Sequence, residues 1–353
     1  MTLGPRDRGS VDLLLAAVRS PRRMAAMGPL DWGALIPAAE EARLLPRLAA
    51  DAERLGLTSG LPGWTRDRLT SALVRGHEFE RAVKWEIDRV HRALLPIGLR
   101  PVFLKGAAYI AAALPCGVGR VVADVDILVP ETELSRAQLA LQDHGWEFEP
   151  LDPYDERYYR DWMHELPPMR NRHRGTLLDV HHRILPRTGR IHPPTQRLLE
   201  QARDVGGTAV LSPEHMVLHA AAHLFQDGEV AGALRDVVDL RDLLEQFGGD
   251  SGFEGRLIGE ARALGLGRPL FYAIRYARLA GCTIDFVGVR SWQPSAPLLA
   301  AMDRLVERTL TRPDTTSGSL GAFALYTRSH WLKMPVGLLL RHLARKVTKN
   351  FSS

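Results

Sequence analysis

The stretch 103-FLKGAAYIAAALPCGVGRVVADVDILV-129 places two aspartates, Asp124 and Asp126, one residue apart in an otherwise apolar run. A buried carboxylate without a partner is costly, so either both side chains reach solvent at a sheet edge or a positive group lies against them. Residues two apart on a strand point to the same side. Asp124 and Asp126 therefore project together, while Val125 and Ile127 pack inward. Two carboxylates on one face suit magnesium, which prefers oxygen ligands, keeps several waters and completes its shell with substrate phosphates. Such a site calls for a third acid. The next β-type run, 176-TLLDVHHRI-184, supplies Asp179 between Leu178 and Val180.

Upstream, 101-PVFLKGAAYIAAAL-114 reads as a strand, a tight turn at Lys105 and Gly106, and a helix. Free N–H groups at a helix start, approached closely over a glycine, form an anion site. Lys105 and Arg120 add positive charge to it. His181 shares the face of Asp179 and can reach a phosphate or a base, whereas His182 points the other way and reads as structural. A phosphate cradle at one end of the unit and paired acids at the other is the layout that phosphoryl or nucleotidyl transfer requires.

Around this stretch, 353 residues with 45% hydrophobic and 25% charged content describe an ordinary globular chain. The net charge of +5 favours acidic partners only mildly. Two cysteines, Cys116 and Cys282, build neither a disulfide framework nor a zinc site without histidines, which fits a reducing, cytoplasmic setting. No apolar run approaches the ~18 residues a membrane span needs. Helical periodicity runs from Val11 to Leu94, gives way to short β-type runs near Arg100, and returns after Ser212. The division predicted is a helical region over 1–98, a mixed-sheet core over 99–190 and a helical region over 191–353, an α+β class. Hinges are expected at 186–194 and 312–321, where proline and glycine cluster.

In the third region, His219 and His223 lie four apart on one helix face, and the residues between them are alanines. Without the glutamate of a zinc-protease motif, they read as buried polar residues, with Asp236 and Asp239 as their acceptors. The tail places Val336, Leu339, Leu340, Leu343 and Val347 on one stripe beside Arg341, Arg345, Lys346 and Lys349. Such a helix packs on the core, grips RNA or lies peripherally on an anionic membrane surface.

The order strand, glycine turn, helix, Asp-x-Asp strand and later acid strand resembles the polymerase-beta-like nucleotidyltransferase superfamily. The segments LKGAA (104–108), RVVADVDILV (120–129) and LLDVHHRI (177–184) look most like its bacterial family of uncharacterised nucleotidyltransferases. The resemblance covers Pro101 to Ile184. It implies a small mixed-sheet core with helical flanks, in which Asp124 and Asp126 hold two magnesium ions (or manganese). Asp179 is implied as third ligand and base, and Gly106 as the contact to the phosphates of ATP or another nucleoside triphosphate. Because a helical unit closes the cleft in such enzymes, His219, His223, Arg235 and Asp236 become acceptor-binding candidates. The implied reaction moves a nucleoside monophosphate to a hydroxyl of a glycan, a peptide or protein, or a small molecule. One departure is visible: the usual Gly-Ser turn is Lys105-Gly106-Ala107, with Lys105 as substitute. Two other functions fit the same residues, a toxin-like enzyme modifying transfer RNA and a non-catalytic nucleotide- or RNA-binding relative. The expected variant behaviour is loss of transfer in Asp124→Asn or Asp126→Asn with the metal-free fold unharmed or slightly more stable. Nucleotide affinity is expected to weaken in Lys105→Ala and Arg120→Ala, and close approach of phosphate to be blocked in Gly106→Val.

Overall fold

The computed structural model describes residues 5–152, 156–227, 230–310, 320–335 and 337. Four helices lead in: α1 (Pro5–Arg19), α2 (Pro29–Glu41), α3 (Leu45–Arg54) and α4 (Gly63–Leu94). The long apolar pattern from Trp32 to Gly56 is broken into α2 and α3 at Arg43, whose φ of 56° is left-handed. Pro46 then falls in the first turn of α3, where a missing N–H costs nothing. In α4 the buried positions Leu69, Ala72, Val83, Ile87, Val90 and Leu94 recur at helical spacing. They form the stripe that docks on the rest of the molecule.

Seven strands form one mixed sheet: β1 (Val102–Phe103), β2 (Asp124–Leu128), β3 (Trp146–Phe148), β4 (Met169–Asn171), β5 (Leu177–His181), β6 (Arg203–Val205) and β7 (Thr208–Val210). Their order is β3-β4-β5-β2-β1-β7-β6. β2 runs parallel to β5 and antiparallel to β1, and β1 runs parallel to β7. The β6–β7 hairpin turns through Gly206 and Gly207, at φ 58° and 86°, which suits the primed turns that match strand twist. Because β7 joins β1, the sheet continues past residue 190 to Val210.

Helices α5 (Lys105–Ala111) and α6 (Leu134–Asp143) cross between strands. After the sheet come α7 (Thr195–Glu200), α8 (Pro213–Ala222), α9 (Leu234–Phe247), α10 (Phe253–Ala263), α11 (Gly267–Ala277), α12 (Ala296–Thr309) and α13 (Leu320–Lys333). The α8 start is as its sequence predicts: the Ser212 hydroxyl accepts from His215 N at 3.3 Å and Pro213 opens the helix. A single apolar core extends from Leu14 to Leu325, so all three regions share one interior. The α+β class with helical flanks is thus as expected.

The segment 186–194 is irregular yet tied down rather than hinge-like. Thr188 Oγ1 donates to Lys333 O at 2.7 Å, Arg190 N donates to Leu332 O at 3.3 Å, and the Arg190 guanidinium lies 3.9 Å from the Trp331 ring centre. Most of the second expected hinge and the basic stripe from Val336 to Lys349 lie outside the described residues. Among the described residues, no helix is long and apolar enough to cross a membrane.

Candidate active site

Parallel pairing of β2 with β5 sets Asp126 opposite Asp179, Asp124 opposite Leu177 and Leu128 opposite His181. Alternation does the rest. Val125, Ile127, Leu178 and Val180 are buried in the core on one face, while Asp124, Asp126, Asp179 and His181 share the other. The three aspartates and His181 named from sequence are therefore brought together on one surface.

Two groups compensate the buried Asp126 carboxylate, Lys105 and His181. Leu104 N donates to Asp126 O at 3.0 Å, delivering Lys105 beside the middle of β2. Lys105 takes a left-handed φ of 44°, a conformation that costs a non-glycine residue about 1–2 kcal/mol. Its Nζ then sits 2.7 Å from Asp126 Oδ1, the same oxygen that His181 Nε2 approaches at 2.9 Å. Burial opposes ionisation of Asp126, but Lys105 and His181 outweigh it and hold the carboxyl far below the usual carboxylate range. Lys105 thus lies on an acid rather than on an open phosphate cradle.

Asp124 and Asp179, both half-buried, are relieved less: Lys105 and His181 pull Asp124 down and His181 pulls Asp179 down, but neither rise is reversed. Burial and then Asp126 raise the Asp124 carboxyl. Burial, followed by Glu165, Asp126 and Asp124, pushes Asp179 up to about 8. Glu165 was not foreseen. It follows the π-helical turn Tyr158–Trp162, and a single bridge pairs it with His181 on the edge of β5. Its Oε2 lies 3.3 Å from His181 Nδ1 and 3.9 Å from His164 Nε2. Turns of this rare kind often mark functional sites. A second one, His223–Asp227, continues α8 beyond His219.

His219 is buried, and burial, then Lys105, His223 and His181, keep its imidazole neutral. It belongs to the surroundings of the acids, and its ring lies 6.5 Å from that of His223. Of the acceptors expected for these histidines, Asp239 is engaged elsewhere. Asp239 binds Arg120, and its Oδ1 accepts from Arg235 Nε at 3.1 Å. Arg235 also donates to Cys116 O at 2.6 Å. These contacts tie α9 to the loop before β2. Asp236, next to this network, is raised by burial and by Asp239. His182 turns away from the acids toward Glu131, Arg183 and Arg187, and burial with Arg187 lowers it to about 4.

Arg120 and Gly106 also sit differently from the phosphate-cradle expectation. A Cβ on Gly106 would lie 2.8 Å from Arg120 Nε and 3.0 Å from Val122 Cγ2. The missing side chain makes room for the chain's own arginine. Gly106→Ala is accordingly expected to cost about 1–3 kcal/mol through overpacking, read as a lower urea midpoint with unchanged slope. Arg120→Ala is expected to destabilise by about 1–3 kcal/mol, because it removes a buried partner of Asp239. Unchanged midpoints in both variants would show that Arg120 is not locked over the glycine.

The arrangement concentrates negative charge on one face, backed by the half-buried Lys105 and by the buried imidazoles of His181 and His219. A family model described as uncharacterised nucleotidyltransferase matches residues 28–280, which include the acid face, Lys105, Glu165, His219 and the Arg120–Asp239–Arg235 network. No curated protein and no solved structure matches the chain. Nucleotidyltransferases are transferases that act on nucleoside triphosphates. With well over half of its length matched, the chain belongs to the uncharacterised nucleotidyltransferase family.

Proposed function

We propose that the protein transfers a nucleoside monophosphate from a nucleoside triphosphate to a hydroxyl acceptor, with divalent cations held by Asp124, Asp126 and Asp179. The observation that carries this reading is the register: Asp126 faces Asp179 across a parallel pair, with Asp124 on the same side. An all-oxygen donor set suits magnesium. Burial and then the crowding of acids raise Asp179 to about 8, and a cation relieves the repulsion in that crowding. When bound, magnesium supplies positive charge that polarises the phosphates and neutralises the acids.

The chain's own residues have separate tasks. Lys105 neutralises Asp126 before nucleotide arrives and afterwards lends its charge to phosphate. Asp179, once ionised, accepts the proton of the acceptor hydroxyl. His181 holds Asp126 in orientation through the 2.9 Å contact. His219 and His223, with the Arg235 and Asp236 end of α9, border the side where an acceptor enters. A glycan, a peptide or protein, or a small molecule all present a suitable hydroxyl.

The test is magnesium-dependent release of pyrophosphate from each nucleoside triphosphate in the presence of cell extract. One nucleotide is expected to give release that chelator stops. Tight nucleotide binding with no release from any of them would support the non-catalytic relative instead, and label entering transfer RNA would support the toxin-like enzyme.

A further inference from the structure

We propose a second metal site beside the acid face, in which His164, Glu165 and His181 bind a nitrogen-preferring divalent ion such as zinc. One ligand atom from each of the three lies within 4.8 Å of those of the other two. Around a tetrahedral ion with bonds of about 2.1 Å, ligand atoms stand roughly 3.4 Å apart. The 3.3 Å between Glu165 Oε2 and His181 Nδ1 already meets that spacing, and the 3.9 Å to His164 Nε2 needs a contraction of only about half an ångström. The donor types, two imidazoles and one carboxylate, are those of open zinc sites rather than of magnesium.

A second observation points to an ion. His181 is 1% exposed, and its Nδ1 makes no hydrogen bond although it faces Glu165. Its other nitrogen is on Asp126 Oδ1 at 2.9 Å. A carboxylate behind one imidazole nitrogen, with the other aimed at a ligand cluster, is how metal-bound histidines are oriented. The Glu165–His181 bridge, together with Leu166 N donating to Val180 O and His182 N to His164 O, both at 2.9 Å, fixes the segment bearing two ligands along β5. An ion there clamps this segment to the sheet and sets the Nε2–H of His181 toward Asp126. The site is thereby a positioning device for the acid face, and its binding is measurable without any transfer assay.

The experiment is titration of metal-free full-length protein with zinc in excess magnesium, followed by calorimetry, and with cobalt, followed by visible absorption. One equivalent is expected to bind, with cobalt giving the intense bands of a four-coordinate site. His164→Gln is expected to weaken zinc at least about 10–100-fold, whereas Asp124→Asn leaves it unchanged. X-ray absorption of zinc-loaded wild type keeps the test independent of variant folding and is expected to show two imidazoles in the shell. An oxygen-only shell, no zinc bound in magnesium, or equal loss in both variants would overturn the proposal and leave His181 as an ion-pair partner of Asp126 and Glu165 alone. None of those outcomes bears on whether Asp124 supports transfer, so the two readings fail separately.

Discussion

Asp126→Asn is expected to lose both transfer and stability, whereas Asp124→Asn is expected to lose transfer alone. The difference comes from what each carboxylate touches. Asp126 is 3% exposed and is held by Lys105 at 2.7 Å and His181 at 2.9 Å. An asparagine oxygen can still accept one hydrogen bond, but the charge balancing the half-buried Lys105 ammonium is gone. Breaking a buried pair from one side costs about 3–5 kcal/mol, and the metal-free variant is expected to lose roughly that. Asp124 is raised by burial and by Asp126, so neutralising it removes a repulsion. Its variant is expected to unfold at the same urea concentration or a higher one. This revises the sequence-based expectation that both substitutions spare the fold. Transfer is expected to fall by at least about 10²–10³ in either variant, the scale for removing one group that stabilises transition-state charge. Equal stability of the two variants would mean that Lys105 and His181 do not depend on Asp126.

Asp179→Asn is expected to stabilise the metal-free protein at alkaline pH and to disable the enzyme at every pH. Burial and the neighbouring acids raise Asp179 to about 8, against an ordinary value near 4. Between those values the folded chain keeps a proton that the unfolded chain has released. Stability therefore falls as pH rises from about 4 to 8, and the cost is complete above the folded value. Asparagine has no proton to lose, so the gain over wild type is small at pH 4 and reaches on the order of 2–5 kcal/mol near pH 9. Saturating magnesium is expected to flatten the wild-type profile, since a bound cation stabilises the ionised form. Turnover is expected to drop about 10²–10⁴-fold, the range for a general base, with nucleotide affinity preserved. A wild-type pH profile no steeper than that of Asp179→Asn would remove the crowded-acid description.

The acid face was legible because a period of two is a strong signal: once two apolar-flanked runs are read as neighbouring strands, Asp124, Asp126, Asp179 and His181 must share a side. Other parts depended on contacts that sequence does not carry. Lys105 was read as a phosphate contact at the glycine turn, and its turn onto Asp126 follows from a left-handed φ that a lysine rarely adopts. Arg120 turns to Asp239 because α9 packs on the loop before β2, a contact 119 residues apart in the chain. Glu165 hid in WMHELPP (162–168), where two prolines read as loop and a π-helical turn precedes the pairing segment. The β6–β7 hairpin had a usable signal, since Gly206-Gly207 between Val205 and Thr208 is a two-residue turn pattern. The strands β3 and β4, three residues each, were too short for alternation to show.

The most direct measurement follows label from an α-phosphate-labelled nucleoside triphosphate into acceptor in cell extract with magnesium, comparing wild type with Asp124→Asn. Asp124→Asn is the informative variant because it removes a carboxylate from the acid face without stranding a buried partner. Wild type is expected to label an acceptor and release pyrophosphate, while Asp124→Asn, folded at least as stably, labels none. Equal labelling by a folded Asp124→Asn protein would contradict the assignment of nucleotidyl transfer to the face formed by Asp124, Asp126 and Asp179.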